Sequence, residues 1–395
     1  AVPLLAQLIA LVAVIASFQA IGALASMLIQ LGKGYTRIEP TLYVDRLALD
    51  SVLYALMGGL ALVFQVFANN KFVGYALLLL VMIGQGMLGS LDLTSNLYNF
   101  GSWANAPYSD MNGYGHFLPG QLWFQAYWGW FLAALMSLAC AFWVRGVAIG
   151  RRRRWSLAAQ RLRGPPGVLL TLSVIAFASV GGFLFWNTNV RNTFLSPEQQ
   201  LDLQARYERD YKRYENLPQP KIVAASIDVD LYPETQSMRV DGRYRVRNAG
   251  SQAIRDLHID MGDQDVALTG IDFGGAELVT HDKPLGYRIY RLQQPLQPGA
   301  EREIAFTLDY RPNGITADQA QTELVDNGSF FNNRMFPRFG YRERMQLTDR
   351  NERRKRGLGE PARMHKLEDQ AARASSYLTD DADWLDFSTT ICTAP

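Results

Sequence analysis

The four histidines are the residues whose type could support metal or acid–base chemistry: His116, His258, His281 and His365. No two of them stand four residues apart and no His-Glu-x-x-His occurs, so a helical zinc site cannot form from them. The sequence also contains no Walker A glycine loop and no Gly-x-Ser-x-Gly nucleophile elbow. His258 lies in a strand-like Leu-His-Ile run, which favours a core or surface role over a ligand role. We therefore predict no catalytic residue, cofactor-binding residue or metal ligand in this chain.

One polar pair remains as a candidate functional site. Asp110 and His116 lie in the loop 92–120, which is rich in Gly, Pro, Asn and Tyr. The two side chains could form a polar pair at a substrate entrance. The same composition is typical of a compact, turn-rich loop that covers helix ends. Both interpretations are open at the level of sequence.

Five apolar stretches are long enough to cross a bilayer as helices. About 20 helical residues span the roughly 30 Å of hydrocarbon in a typical bilayer. The stretches cover residues 2–31, 47–68, 72–91, 121–144 and 167–186. So many such runs in one half of the chain favour membrane spans over buried helices of a soluble protein. We expect residues 1–190 to form an α-helical polytopic membrane domain, with the lipid bilayer as its partner.

Basic side chains are unevenly distributed and predict an orientation. Residues 1–195 hold 12 Lys and Arg against 5 Asp and Glu, whereas the remainder holds 27 against 32. Eight of the 12 fall at position 71 and in the loop 145–163, against three in the loop 32–46. Because short cytoplasmic loops carry excess Lys and Arg, the Arg-rich loop is predicted to be cytoplasmic and everything after Trp186 to lie outside. Most of this charge lies between apolar runs, so no nucleic-acid surface is predicted.

Aromatic residues at the outer end of the fourth stretch fit this orientation. Trp and Tyr are enriched where membrane helices leave the hydrocarbon. Trp123, Tyr127, Trp128 and Trp130 are therefore predicted to form an interfacial belt.

An amphipathic linker helix is predicted over residues 196–217. Ser196, Pro197 and Gln199 provide a capping hydroxyl, a proline in the first turn and a capping-box glutamine, and Pro218 is predicted to stop the helix. Apolar and aromatic residues recur at helical spacing on one face: Leu203, Tyr207, Tyr211 and Tyr214. This face is predicted to pack against the domain that follows, although a peptide-binding stripe has the same pattern.

Residues 221–395 change to a period of two and predict an all-β extracytoplasmic domain. Apolar residues alternate with polar ones over 227–231, 238–246 and 304–310, and turn sequences separate these runs. Short strands at this spacing predict an antiparallel sandwich or curved sheet. A charged insertion at 345–383 is predicted to be a surface excursion or flexible loop. The run from Trp384 to Ile391 is predicted to be one more strand.

The β-rich half resembles the N-terminal β domain of aminopeptidase-N-type (gluzincin) zinc metallopeptidases. The resemblance is carried by VDGRYRVRNAGSQAIRDLHI, LQPGAEREIAFTLDYRPNGI, NNRMFPRFGY and FSTTICTAP. Arg334, Phe336, Pro337 and Phe339 match a segment that precedes a strand in that family. The family's Cys, Asp and Glu are replaced here by Arg338, Gly340 and Tyr341, and the charged insertion follows.

The whole chain is similar to bacterial fusions of an ABC-exporter-type permease with such a peptidase. The loop YNFGSWANAPYSDMNGYGHFL and the helix start SPEQQ carry this similarity. The resemblance implies a bacterial inner (plasma) membrane protein with a periplasmic C-terminal domain and a separate ATP-hydrolysing subunit. It also implies an aminopeptidase domain beyond Pro395, with zinc and a peptide substrate in the full-length protein and no cofactor in this chain.

Two other functions are compatible with the same residues. One is a transporter subunit whose extracytoplasmic domain binds a partner or peptide without catalysis. The other is a membrane-anchored scaffold without transport.

Overall fold

The chain folds into two units, one helical and one rich in β-sheet. The computed structural model describes residues 2–144, 150–261, 265–317, 323–325, 328–361, 366, 368–370 and 381–393. Within these residues, the helical unit comprises 2–194 and 315–317, and the sheet-rich unit comprises 195–314 and 323–393.

The helical unit contains six α-helices in its described part. They are α1 (Val2–Gly32), α2 (Pro40–Ala68), α3 (Lys71–Leu88), α4 (Phe117–Phe142), α5 (Arg151–Arg161) and α6 (Pro165–Phe185), and α6 continues as a π-helical turn over Trp186–Arg191. Five of these helices, all except α5, are long and apolar enough to cross a membrane. The helical half and its five apolar helices agree with the sequence prediction.

Local chemistry sets where the helices begin. α2 starts at Pro40, well before the apolar stretch predicted at 47–68, because proline is pre-organised for the first turn of a helix. Asn70 caps α3 by accepting hydrogen bonds from the amides of Phe72 and Val73. The Arg-rich segment, expected as a loop, forms α5 over Arg151–Arg161.

The core of the helical unit lies around α2 and α4. Gly59 on α2 permits this packing, because a Cβ at that position would lie 2.6 Å from Cδ2 of Leu132 on α4. Two of the four residues predicted to form an interfacial aromatic belt are buried instead. Trp123 and Trp130 are exposed, but Tyr127 and Trp128 are buried in this core, because their polar atoms find backbone carbonyl acceptors inside the unit.

The sheet-rich unit is a two-sheet sandwich. Its strands are β1 (Lys221–Tyr232), β2 (Ser237–Arg247), β3 (Ile254–Met261), β4 (Val266–Asp272), β5 (Ala276–Asp282), β6 (Tyr287–Leu296), β7 (Glu301–Tyr310), β8 (Leu324–Val325), β9 (Gly328–Ser329), β10 (Pro337–Phe339) and β11 (Ala382–Thr393). One sheet has the order β11-β1-β2-β7-β4 and the other β10-β3-β6-β5, while β8 and β9 form a small hairpin. The hydrophobic core takes residues from both sheets.

Alternation along β2 shows how the sequence selects its buried face. Met238, Val240, Tyr244 and Val246 face the core, whereas Arg239, Arg243, Arg245 and Arg247 are exposed. Gly242 takes the place of a larger inward residue, because a Cβ there would lie 2.2 Å from the Phe306 ring. The Arg-rich face is thus a solvent-facing side of a strand.

One edge of the sandwich departs from the antiparallel prediction. β11 pairs with β1 in parallel, from Ile222–Ala382 to Leu231–Thr393. A parallel pair cannot be joined by a tight turn, and strands β2 to β10 separate β1 from β11 along the chain. The alternation pattern within a strand predicts burial but not the direction of its partner.

Two further predicted elements have different bounds or character. The linker helix α7 spans Pro197–Tyr211 and tightens into a 3₁₀ turn at Lys212–Tyr214, short of the predicted end at 217. The predicted surface excursion at 345–383 contains helix α8 (Arg350–Lys355), in which Arg353 is buried. A dense run of charge suggests an exposed loop, but Arg353 is buried because it pairs with buried Glu208.

Candidate functional site

The predicted pair Asp110 and His116 in the loop 92–120 lies in a structured segment. Asp110 is exposed in a tight turn closed by the Ser109–Gly113 bridge, and half-buried His116 directly precedes α4, with its ring 4.0 Å from that of Phe117. Hydrogen bonds hold the loop to the helices: Gln85 Nε2 donates to Phe100 O at 2.8 Å, and Trp128 Nε1 to Ser102 O at 3.2 Å. The loop is therefore a compact cover on helix ends, and a joint role of Asp110 and His116 stays a prediction.

The other histidines differ in position. His258 is buried on β3, and its Nδ1 lies 3.0 Å from the hydroxyl of Tyr287. Burial lowers the pKa of His258 to about 4, so the ring is neutral at physiological pH. His281 is exposed on β5, and His365 lies outside the described residues. A group of three or more metal-ligating side chains is not found in the described part of the chain.

Tyrosine side chains and carboxylates form a hydrogen-bonded region where α7 packs against the sheet containing β6. Four tyrosines pack together there, and we call them the tyrosine cluster: Tyr207, Tyr211, Tyr287 and Tyr341. Tyr211 and Tyr287 are stacked with ring centroids 4.0 Å apart, and Tyr207 and Tyr341 with centroids 5.1 Å apart. The aromatic face of α7 thus packs against its own domain, as its helical spacing predicted.

Two carboxylates, buried Asp260 and half-buried Asp282, accept hydrogen bonds from the tyrosine hydroxyls of α7. Tyr207 donates to Asp260 Oδ2 at 2.9 Å and accepts from the amide of Arg342 at 2.8 Å, and the Arg342 guanidinium lies 2.9 Å from Asp260 Oδ1. Tyr211 donates to Asp282 Oδ2 at 2.9 Å. Burial raises the pKa of Asp260 and of both tyrosines. The hydroxyls therefore stay protonated and act as donors.

A buried ion pair ties α8 to α7. Arg353 and Glu208 are both almost fully buried, and two guanidinium nitrogens each lie 2.7 Å from a carboxylate oxygen. Arg353 also donates to the carbonyls of Leu347 and Gly359, so nearly all its donors are satisfied. Burial alone would raise the pKa of Glu208, but Arg353 and Lys212 lower it below its usual value.

Sequence reasoning found only the local part of this arrangement. The i, i+4 spacing of Glu208 and Lys212 predicts an ion pair one helical turn apart, and that contact exists at 3.3 Å. The closer partner of Glu208 is Arg353, which is 145 residues distant in the chain. An arginine inside a charged run gives no signal that distinguishes it from its exposed neighbours.

A cavity of about 340 Å³ opens at the β11 edge of the sandwich. Its walls are mainly apolar and include Ile227, Phe336, Pro337, Phe387 and Ile391. Of the residues that carry the peptidase resemblance, Phe336 and Pro337 line the cavity, Phe339 is buried in the core and Arg334 is exposed.

Comparison with known proteins gives a partial likeness of fold. No family model and no curated protein matches the chain. Among solved structures, the M1 zinc metallopeptidase of Deinococcus radiodurans is similar at 12% identity over 24% of this chain and 21% of the enzyme, with a TM-score of 0.20. Native leukotriene A4 hydrolase of Saccharomyces cerevisiae is similar at 10% identity over 24% and 15%, with a TM-score of 0.19. The chain thus spans about a fifth or less of these enzymes, and a likeness at this level carries no argument on activity.

Proposed function

We propose that the helical unit is a multi-pass membrane domain and that the sandwich is the non-catalytic supporting domain of a membrane-tethered aminopeptidase. The sandwich would lie on the non-cytoplasmic side. In this proposal the chain supplies the anchor and a wall beside the catalytic domain, which would follow Pro395 in the full-length protein.

The observation that carries the membrane part is the outer surface of α1. No residue is buried in its most apolar 18-residue stretch, and Phe18, Ile21 and Leu28 are each more than 60% exposed. Leaving such a side chain in water forgoes about 1.5–3 kcal/mol relative to burying it. A hydrocarbon environment removes this cost along the whole helix.

Charge supports the proposed orientation. The bases of α5 and Lys71 lie at the same end of the helices, because Arg154 Nη1 donates to the carbonyl of Phe67 near the end of α2, at 3.3 Å. Segments 51–91 and 111–197 contain no acidic residue to balance them. An excess of base at one end is typical of the cytoplasmic side.

The peptidase part rests on the sequence resemblance, together with the exposed surface of β11. Phe387 and Ile391 are more than half exposed on one face of this strand and line the apolar cavity. A contiguous apolar patch at a sheet edge is typical of a surface that another domain covers. A catalytic domain following Pro395 would begin at this strand.

Zinc does not fit the described residues of this chain. Its buried histidine is bonded to Tyr287, and no group of metal-ligating side chains comes together in the described part. Zinc is therefore proposed only for the full-length protein, and no catalytic step is assigned to residues of this chain.

The permease part of the proposal rests on the resemblance alone. The helical unit would form part of a transport path, and a separate subunit would hydrolyse ATP, as that resemblance implies. Co-purification of the full-length protein with an ATP-hydrolysing subunit is the result expected.

Membrane insertion is tested by extraction. We expect the chain to stay in the membrane pellet after washing with high salt and then with alkaline carbonate, because several apolar helices hold it in the hydrocarbon. Release into the carbonate supernatant would contradict the membrane proposal.

Peptidase function is tested on the full-length protein with aminoacyl chromogenic substrates. We expect cleavage that a zinc chelator abolishes, and no cleavage by residues 1–395 alone. Absence of chelator-sensitive cleavage across neutral, basic and acidic aminoacyl substrates would favour the transporter subunit with a binding domain.

A further inference from the structure

The basic end of the helical unit has a cavity lined by both polar and apolar side chains. It measures about 260 Å³ and is lined by Gln65, Asn69, Asn70, Lys71, Trp143 and Arg154. The cavity lies where α2 ends, α3 begins and α4 ends. Amide groups and two cations in one concave site are typical of a site that binds an anion.

Arg154 is already committed to holding this end together. Its Nε donates to Phe142 O at 3.2 Å, and its Nη1 and Nη2 donate to the carbonyls of Phe67 and Val66. These carbonyls belong to the last turns of α2 and α4, whose partial negative charges offset part of the arginine's charge. Arg154 therefore positions the cavity wall, and Lys71 is the cation left to attract a ligand.

Two further features favour an anion in the cavity. The Nε1–H of Trp143 is buried and has no hydrogen-bond acceptor among the described residues. A buried donor without an acceptor is destabilising, and a bound oxyanion would supply the missing acceptor. α3 also begins at Lys71: Asn70 already caps the amides of Phe72 and Val73, but the positive end of the α3 dipole offsets part of the negative ends of α2 and α4 at the cavity.

The surroundings of the cavity fit a lipid rather than a free ion. Arg152 and Arg153 on α5 are exposed, and no carboxylate occurs in residues 51–91 or 111–197 to pair with them. Large apolar side chains stand exposed beside these bases, with Phe72 72% and Trp155 67% accessible. Bases next to exposed aromatics match a surface that meets headgroups and acyl chains together.

We propose that this end of the helical unit binds the phosphate of an anionic phospholipid headgroup. Lys71 and Trp143 would contact the phosphate in the cavity, and Arg152 and Arg153 would hold neighbouring headgroups. The inference rests on the proposed membrane insertion and adds a lipid preference to it.

The test uses the whole chain, purified in detergent and titrated with phosphatidylglycerol or phosphatidylcholine under native mass spectrometry. We expect the intact chain to retain phosphatidylglycerol in preference. The variant K71Q/R152Q/R153Q should lose roughly tenfold or more of that preference, because three bases no longer attract the anionic headgroup. These three side chains are exposed, so the variant is expected to fold.

A matched control changes charge at the other end of the helices. Lys33 and Arg37 are also exposed, and K33Q/R37Q should leave phosphatidylglycerol binding within about twofold. Excess inorganic phosphate should not displace the lipid, and displacement by phosphate would show a free-anion site instead.

The outcomes separate this inference from the membrane proposal. A chain that resists carbonate extraction but binds both lipids equally, or loses binding equally in both variants, overturns the inference alone. A chain that does not insert into membranes overturns both.

Discussion

The two units expose different kinds of side chain, and their buried polar groups have different hydrogen-bond partners. In the helical unit, large apolar side chains such as Phe18 and Leu28 face outward. In the sandwich, β2 turns its apolar residues inward and its arginines outward. The same physical rule, that apolar groups avoid water, gives both patterns if the first unit is surrounded by hydrocarbon and the second by water.

The partners of polar groups differ in the same way. In the helical unit, Arg154, Gln125 and Trp128 donate to backbone carbonyls. In the sandwich unit, Glu208, Asp260 and Arg353 are buried against charged or hydroxyl side chains. The sandwich unit therefore holds buried charges whose partners are side chains, and a single substitution can leave such a charge poorly paired.

The largest effect is expected from breaking the buried ion pair of the sandwich unit. Arg353→Met removes the two-pronged partner of buried Glu208 and leaves it only the Lys212 contact at 3.3 Å, which should cost up to about 3–5 kcal/mol. Hydrogen exchange of α7 amides, measured on the chain in detergent, should show this loss of protection.

Two further variants sharpen that experiment. The double variant E208L/R353M should lose less than the sum of its single changes, because no charge is left buried. Arg350→Ala on the same helix should change protection by less than about 0.5 kcal/mol, since Arg350 is 68% exposed. Equal effects of R353M and R350A would remove the special role given to the buried pair.

The next effect concerns the titration of His258. Its folded pKa of about 4 lies below the ordinary 6.5, so between these values the unfolded chain binds a proton that the folded chain does not. Above pH 6.5 the free energy of unfolding is unaffected by this titration. As the pH falls toward 4, the free energy of unfolding decreases by roughly 3 kcal/mol in total. NMR of histidine-labelled protein, assigned with His258→Gln, should show no protonation of this ring at pH 5.5.

The neighbouring charges define the control for His258. Asp256 raises and Arg213 lowers the pKa of His258. The pKa of Asp260 is raised by burial, so this residue adds stability as the pH falls, whereas His258 removes it. The difference between the native chain and H258Q isolates the histidine, and exposed His281 serves as the comparison in H281Q. A His258 pKa near 6.5 would mean that β3 is not packed as described.

A smaller effect is expected from one hydroxyl of the tyrosine cluster. Tyr207→Phe removes the donor to Asp260 and the acceptor for the Arg342 amide, which should cost about 1–3 kcal/mol. Tyr214→Phe provides a matched control on the same helical segment, since its hydroxyl has no hydrogen bond to another described residue. Loss of protection in Y214F equal to that in Y207F would place the stabilisation in ring packing instead.

Sequence predicted the features that depend on local periodicity. The five apolar helices, the aromatic face of α7 and the alternation of β2 follow from spacings of 3.6 and 2 residues. The capping box of Ser196 and Gln199 was also predicted, because both partners lie within four residues.

Features that depend on distant partners were not predictable in this way. The bond between Tyr207 and Asp260 joins residues 53 apart, and the Glu208–Arg353 pair joins residues 145 apart. The parallel pairing of β11 joins it to β1, 162 residues earlier in the chain, and the alternation within β11 does not encode that direction. In the outer loop, the sequence could not decide whether Asp110 and His116 act together, because turn residues and site residues have the same composition.

The accessibility of single cysteines tests most directly whether the helical unit lies in hydrocarbon and the sandwich in water. Starting from a Cys140→Ala, Cys392→Ser chain, Met111→Cys places a probe in the outer loop and Ser156→Cys places one on α5, both at exposed positions. A third chain keeps exposed Cys392 on β11. In spheroplasts, a membrane-impermeant maleimide should label Met111→Cys and Cys392, whereas Ser156→Cys should react only after lysis. Labelling of Ser156→Cys in intact spheroplasts, or protection of the other two, would contradict a membrane-spanning helical unit with the sandwich outside.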